Sequence, residues 1–221
     1  MFIRKYKSLM LILFFTLLMS LQLVDAKVNS ILPLEGKIIT IDPGHGGRDS
    51  GTMSGKLMEK DLNLEISYQL KKVLKENGAT VYMTRMVDED LSSKWDARKK
   101  RGDLYRRILF IQNKKSDLYL SIHINAGNGR GQEVLYHSIN KNNFLLAESI
   151  HNEFKKEFKT KRIIKKTNLY LYSNTRVPGV LIECGFLSNP NDRYLLQKED
   201  YQKRLALSIT RGVYEYFQKE L

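Results

Sequence analysis

Three polar side chains lie at the ends of apolar runs in this sequence, and their types suit metal and acid–base chemistry. His45 stands among glycines after the run Ile38 to Ile41, and His123 lies near the end of "DLYLSIHIN". Glu183 follows Val180 to Ile182, where an unpaired carboxylate would be costly to bury without a cation, a metal ion or a raised pKa. Because imidazole and carboxylate groups are common zinc ligands, these residues predict a combined acid and imidazole site.

A catalytic zinc ion commonly has three protein ligands and keeps a fourth position open. His45 and His123 supply two imidazoles, and Glu59, at the start of a predicted helix, is well placed to supply the carboxylate. Taken alone, Glu59 is also explained as a first-turn acid that the helix dipole favours. Asp42 competes for the ligand role. Its place before Pro43 at a strand end instead predicts that it orients a ligand imidazole.

Simpler interpretations of these residues exist. The glycines around His45 are also typical of a turn with an exposed histidine, or of a loop whose N–H groups bind phosphate. The phosphate interpretation fails because no Lys-Ser/Thr pair follows the glycines and the segment after Gly47 is polar and irregular. His123 alone is typical of a hydrogen-bonded core histidine. Asn125 is predicted either to contact substrate or to form a turn.

The hydrophobic pattern predicts strands that alternate with amphipathic helices. This alternation predicts an α/β fold: a single domain with a mostly parallel twisted sheet of about six strands and helices on both faces, with functional groups beyond the strands' carboxyl ends. The predicted strands are 37–41, 79–84, 117–124, 132–137, 168–172 and 179–183, and the predicted helices are 59–77, 94–115, 143–158 and 201–218. The helix 94–115 is very basic. Its Arg101, Arg106 and Arg107 are predicted either to bind anionic groups or to form a solvated face.

Residues 1–26 are predicted to be an export signal, or alternatively a retained membrane anchor, because basic residues precede an uncharged run and "VDA" resembles a cleavage site. Residues 27–221 then form the catalytic domain. Removing that segment's three basic residues and one acidic residue from the chain's 37 and 24 leaves a net charge of +11. This charge predicts an anionic partner such as a wall polymer or lipid headgroups, and not nucleic acid in an exported protein. The single cysteine, Cys184, excludes an internal disulfide.

Four motifs in order resemble the zinc-dependent N-acetylmuramoyl-L-alanine amidases, the amidase 3 family: "KIITIDPGHGGRDSGT", "MEKDLNLEISYQLKKVL", "DLYLSIHINA" and "VPGVLIECGFLSN". The resemblance covers the chain from about Lys37 to its C-terminus. It implies that His45, Glu59 and His123 bind Zn²⁺ and that Glu183 is the catalytic carboxylate. It further implies that the substrate is peptidoglycan.

The subtype that the resemblance suggests is the germination-specific amidase of endospore formers, which acts on spore cortex on the way to muramic δ-lactam. The expected location is the cell wall or the forespore intermembrane space, with an activating partner protein and membrane association through the N-terminal segment as open alternatives. Residues 126–143 are too few to hold the inserted helix that blocks zinc in division-type relatives. Two rival functions are a zinc peptidase that cuts within the stem peptide and a wall-binding protein without activity. The second would be expected to lack Glu183 or a ligand.

Overall fold

Six strands form the mostly parallel sheet that positions the candidate site. In this computed structural model, which describes Met10, residues 12–16, Met19 and residues 32–220, the sheet has the order β4-β1-β5-β8-β6-β7. Neighbours β4, β1, β5 and β8 run parallel, whereas β6 is antiparallel to β8 and parallel to β7. A separate hairpin pairs β2 with β3. The strands are β1 Ile38–Pro43, β2 Met53–Ser54, β3 Leu57–Met58, β4 Thr80–Met83, β5 Leu118–Asn125, β6 Glu133–Tyr136, β7 Lys165–Lys166 and β8 Gly179–Phe186.

Helices cover both faces of this sheet, which confirms the predicted α/β fold. The helices are α1 Glu59–Glu76, α2 Lys99–Asn113, α3 Asn142–Phe158, α4 Tyr170–Ser173, α5 Pro190–Leu196 and α6 Glu199–Glu220. Helices α1, α3 and α6 share the larger hydrophobic core with one face of the sheet. Helices α2 and α4 pack a smaller core on the other face.

The alternation of side chains along β5 and β8 decides which residues reach the site. Successive residues of a strand point to opposite faces of a sheet. Leu118, Leu120 and Ile122 join the larger core, and Tyr119 joins the smaller one. His123 therefore continues the row of Tyr119, on the face where α2 and α4 leave room beyond the strands. In β8, Leu181 belongs to the smaller core, so the same spacing places Glu183 there as well.

The prediction of a strand at residues 168–172 is wrong. Residues Tyr170–Ser173 form one helical turn, and the strand of this region, β7, comes earlier and is only two residues long. The helical turn buries the consecutive side chains of Leu171 and Tyr172 in the smaller core. A strand would turn two consecutive side chains to opposite faces. The basic helix also begins later than predicted, at Lys99, since residues 94–98 form a loop.

Residues 34–220 form one compact unit. The predicted export signal lies almost wholly outside the described residues, apart from helical positions at Met10, 12–16 and Met19. Among the residues that the structure describes, no helix combines the length and apolarity needed to cross a membrane.

Candidate functional site

Three of the four principal residues predicted from sequence meet in the structure, because two histidines contact one carboxylate oxygen of Glu59. His45 Nε2 lies 3.2 Å and His123 Nδ1 lies 3.0 Å from the same Glu59 Oε1. The two imidazole rings meet edge to face, with their centroids 4.9 Å apart. One ligand atom from each residue lies within 4.8 Å of the other two, so the group could hold a metal ion. Two imidazole nitrogens and a carboxylate oxygen are a donor set that suits Zn²⁺.

Glu59 begins α1, and its carboxylate is held by backbone as well as by imidazoles. Glu59 Oε1 accepts from Ile124 N at 3.1 Å, and Oε2 accepts from Thr52 N at 2.8 Å. Burial alone would raise the pKa of this carboxyl, but hydrogen bonds to His123 and His45 and their charges hold its pKa far below the usual range. Glu59 is therefore a fixed carboxylate anion, as a metal ligand must be.

Glu183 lies on β8 between two polar neighbours. In the strand register it stands opposite His123 of β5 and opposite Glu133 of β6. Its Oε2 is buried and has no hydrogen-bond partner among the residues that the structure describes. Burial, followed by the charges of Glu59 and Glu133, raises the pKa of Glu183 to about 8. An unpaired buried carboxyl of this kind is costly, and such groups cluster at functional sites.

The loop that carries His45 adopts an unusual backbone conformation. His45 has φ of 60°, in the left-handed region that residues other than glycine seldom adopt. Two buried arginines bind the carbonyl groups of this loop. Arg107 donates to Pro43 O at 2.8 Å and to His45 O at 2.7 Å, and Arg85 donates to Pro43 O and Gly44 O at 3.0 Å each. These four bonds hold the loop in position.

Asp42, which is predicted to orient a ligand imidazole, makes its described hydrogen bonds to other groups. Its Oδ1 accepts from Arg107 Nη1 at 2.7 Å and from Thr84 Oγ1 at 2.6 Å, and its Oδ2 accepts from Ser121 Oγ at 2.7 Å. Those donors use both oxygens of the buried carboxylate. Although burial opposes it, the charge of Arg107 and these hydrogen bonds lower the pKa of Asp42. Asp42 thus fixes Arg107, and only through Arg107 the His45 loop.

Asp49 is the acidic group that contacts a candidate ligand, and the sequence analysis missed it. Its Oδ1 lies 3.0 Å from His45 Nδ1, the ring nitrogen that does not face Glu59. This contact is short, but its angles fall outside those of a formed hydrogen bond. The only sequence signal is that Asp49 follows His45 by four residues in a glycine-rich loop, which many surface acids share.

A cleft of about 650 Å³ opens above the histidines and Glu183. Helix α2 contributes charged and apolar lining residues, among them Lys100 and Leu104, and the segment around the turn α4 contributes Leu169 and Leu171. Asn125 also lines this cleft. Its Nδ2 donates to Glu133 Oε2 at 3.2 Å, and its Oδ1 accepts from Ala126 N at 2.8 Å. The cleft therefore combines the polar groups of the site with apolar side chains from the segment around α4.

Comparisons with known proteins assign the family. The family model for N-acetylmuramoyl-L-alanine amidase matches residues 39–215. The chain belongs to this family. The germination-specific N-acetylmuramoyl-L-alanine amidase of Bacillus subtilis is 41% identical over 194 residues, which cover 84% of this chain and 82% of that protein.

Two solved structures agree with the amidase fold. The CwlD amidase from Clostridioides difficile, in complex with the GerS lipoprotein, is 32% identical with a TM-score of 0.78 and covers 83% of this chain and 100% of that one. The catalytic domain of CwlV, an amidase from Bacillus (Paenibacillus) polymyxa var. colistinus, is 30% identical with a TM-score of 0.71 and covers 82% and 98%. The chain is therefore an enzyme that acts on peptidoglycan, a substrate that lies outside the cytoplasm.

Other sequence expectations for this amidase are now decided by its contacts. Of residues 126–143, which are predicted to be too few for an inserted helix, only Asn142 and Asn143 are helical, and they begin α3. The interpretation of Arg107 as part of a solvated or anion-binding face is wrong, since it is 1% exposed and pairs with Asp42. Arg106 pairs with Asp96, and Arg101 stacks on Tyr170. The sequence did not indicate these roles because the partners lie in distant segments or preceding loops.

Proposed function

We propose that this amidase hydrolyses the bond between N-acetylmuramic acid and L-alanine with a zinc ion held by His45, Glu59 and His123. The convergence of both imidazoles on Glu59 Oε1 carries this proposal. The donor atoms and the low pKa of Glu59 suit zinc, although a peptidase could use the same ligands. When bound, the ion would supply a positive charge that polarises the scissile carbonyl and makes water more acidic.

Glu183 is the general base and acid of the proposed reaction. Its buried Oε2 has no partner and is free to accept the proton of the attacking water. The carboxylic acid formed in this step then donates the same proton to the departing amine of L-alanine. The raised pKa of Glu183 suits both proton transfers. A group whose pKa lies near the working pH can both accept and donate a proton.

Residues 27–221 are the proposed catalytic domain, and residues 1–26 the proposed export signal or membrane anchor. We assign the enzyme to spore cortex peptidoglycan, on the way to muramic δ-lactam, because the germination-specific relative is 41% identical over most of both chains. A protein partner also belongs to the proposal, since the CwlD amidase was solved with the GerS lipoprotein. Asn125, on the cleft wall, is proposed to contact the substrate.

Product analysis tests this function. The purified protein and its Glu183→Gln variant are each supplied with zinc and incubated with spore-type and vegetative peptidoglycan, and the products are identified by mass spectrometry. We expect whole stem peptides with a free N-terminal alanine, a preference for the spore polymer, and a loss of roughly two to four decades of rate in Glu183→Gln. Peptides cut internally would instead identify a stem-peptide peptidase, and wild-type rates in the variant would refute the role of Glu183.

Metal analysis tests the ligands separately. We expect purified wild-type protein and Glu183→Gln to retain zinc, whereas His45→Ala and His123→Ala lose it, because each histidine variant removes one of three ligands. Elemental analysis after dialysis measures this retention. Equal zinc content in a histidine variant and in the wild type would contradict the ligand assignment.

A further inference from the structure

Asp49 and Glu59 lie on opposite sides of the His45 ring. Nε2 of His45 faces Glu59 Oε1 at 3.2 Å, and Nδ1 faces Asp49 Oδ1 at 3.0 Å. The side chain of His45 is mostly shielded from solvent, and that of Asp49 is half-buried. A carboxylate beside the far nitrogen of a ligand imidazole fixes its tautomer and ring orientation in many metal proteins. The two carboxylates therefore contact different ring nitrogens.

The position of Asp49 is set by the backbone of the same loop. Gly46 N donates to Asp49 O at 2.9 Å, and Asp49 N donates to Gly46 O at 3.1 Å. Gly51 N donates to Asp49 Oδ1 at 3.2 Å. Lys100 Nζ lies 3.4 Å from the other oxygen, Oδ2. Three backbone hydrogen bonds therefore place this carboxylate beside His45, and its position does not depend on a flexible surface contact.

We propose that Asp49 is a positioning residue for His45. Its Oδ1 lies close enough to Nδ1 to accept a hydrogen bond when a metal ion occupies Nε2, and the tautomer with its hydrogen on Nδ1 leaves the Nε2 lone pair for that ion. The contact with Asp49 Oδ1 is on the side of the ring away from Glu59, so the two carboxylates together bracket the imidazole. The inference rests on the proposed metal site, and it predicts that Asp49 raises the affinity of that site without binding the ion.

Asp88, in the segment after β4, supplies a matched control because it also contacts the glycine-rich loop. Its Oδ1 accepts from Gly47 N at 2.7 Å, and its Oδ2 accepts from Lys60 Nζ at 2.6 Å. Asp88 thus anchors the glycine-rich loop as Asp49 does. Its recorded contacts are with Gly47 and Lys60 and not with an imidazole. A general loosening of the loop would therefore affect both variants, whereas loss of ring orientation would affect Asp49→Asn alone.

The experiment measures metal affinity directly. Zinc is titrated into metal-free wild type, Asp49→Asn and Asp88→Asn in competition with a chromophoric chelator, and Co²⁺ spectra report the ligand geometry. Asp49→Asn is expected to bind zinc about 10- to 100-fold more weakly and to change the Co²⁺ spectrum. Asp88→Asn should keep its affinity within about threefold. Thermal unfolding of all three proteins in excess chelator measures the stability of the fold itself.

The outcomes separate this inference from the proposed function. If Asp49→Asn binds zinc as tightly as the wild type, or if Asp88→Asn weakens binding as much as Asp49→Asn, the positioning role is refuted. If wild-type protein itself does not bind zinc, the proposed function fails and this inference fails with it. Weaker zinc binding by Asp49→Asn, with an unfolding temperature close to that of wild type in chelator, supports it.

Discussion

Replacement of Arg107 by methionine is expected to destabilise the enzyme strongly. The guanidinium is 1% exposed and lies 2.7 Å from Asp42, which is itself 2% exposed. Methionine preserves much of the side-chain length but leaves the Asp42 carboxylate with only the hydroxyls of Thr84 and Ser121. Removal of one partner from a buried ion pair costs about 3–5 kcal/mol. For a domain of this size, such a loss lowers the melting temperature by about 6–20 °C.

The assay is thermal unfolding in excess chelator, so that metal affinity does not contribute. Arg106→Met is the control, because the neighbouring Arg106 pairs with Asp96 at the surface and an exposed pair contributes less than about 1 kcal/mol. The double variant Asp42→Asn/Arg107→Met should recover part of the loss, since it no longer buries an unpaired charge. A melting temperature for Arg107→Met equal to that of Arg106→Met would refute the view that this pair anchors the loop.

Three further changes test the electrostatics and packing of the site. Glu133→Gln removes a negative charge that raises the pKa of Glu183, so the acid limb of kcat/KM against pH should move to lower pH; an unmoved limb would contradict that coupling. Folding raises the pKa of Glu183 from 4.5 to about 8, so the folded state binds more protons in that window and the metal-free enzyme should lose stability as pH rises through it. Glu183→Gln should abolish that loss in melts at pH 5 and pH 8, and a persisting loss would assign it to another group. Gly51→Ala places a Cβ 2.5 Å from Glu59 Oε2 and should weaken zinc binding at least tenfold, whereas Gly55→Ala, at a similar φ but in open space, should not; equal affinities would refute the steric argument.

The sequence predicted those site residues whose position follows from a strand or a helix start. His123 and Glu183 end apolar runs, and the period of two places them on the face opposite the larger core. Glu59 begins a helix with a clear apolar pattern. Arg107 and Asp49 could not be predicted in this way. Their roles depend on how α2 and the loop after β1 pack in three dimensions. The local sequence around Arg107 resembles that of any basic helix, and the sequence around Asp49 resembles that of any surface acid.

The hydrogen-bond partners of Asp42 could not be predicted from the sequence for the same physical reason. A carboxylate at the end of a central parallel strand predicts a functional contact, and the local sequence does not identify the cation that pairs with it. The competing cation is Arg107, which is brought from a helix 65 residues later and is buried against Asp42. Because a charged pair satisfies a buried carboxylate better than a neutral imidazole does, Asp42 supports the loop backbone and leaves the imidazole to Asp49.

The different environments of Glu59 and Glu183 explain why two carboxylates in one cleft would take different roles. Hydrogen bonds to two imidazoles hold the pKa of Glu59 far below its usual range, so this group remains an anion and suits a cation. Burial and the negative charges of Glu59 and Glu133 raise the pKa of Glu183 to about 8, so this group exchanges a proton near neutrality. Opposite pKa shifts in neighbouring carboxyls are a recurring basis of acid–base catalysis. The proposed roles of Glu59 as ligand and Glu183 as proton carrier therefore follow from their neighbours. Glu59, at the start of α1, lies beside two imidazoles, and Glu183, on β8, lies near two other carboxylates.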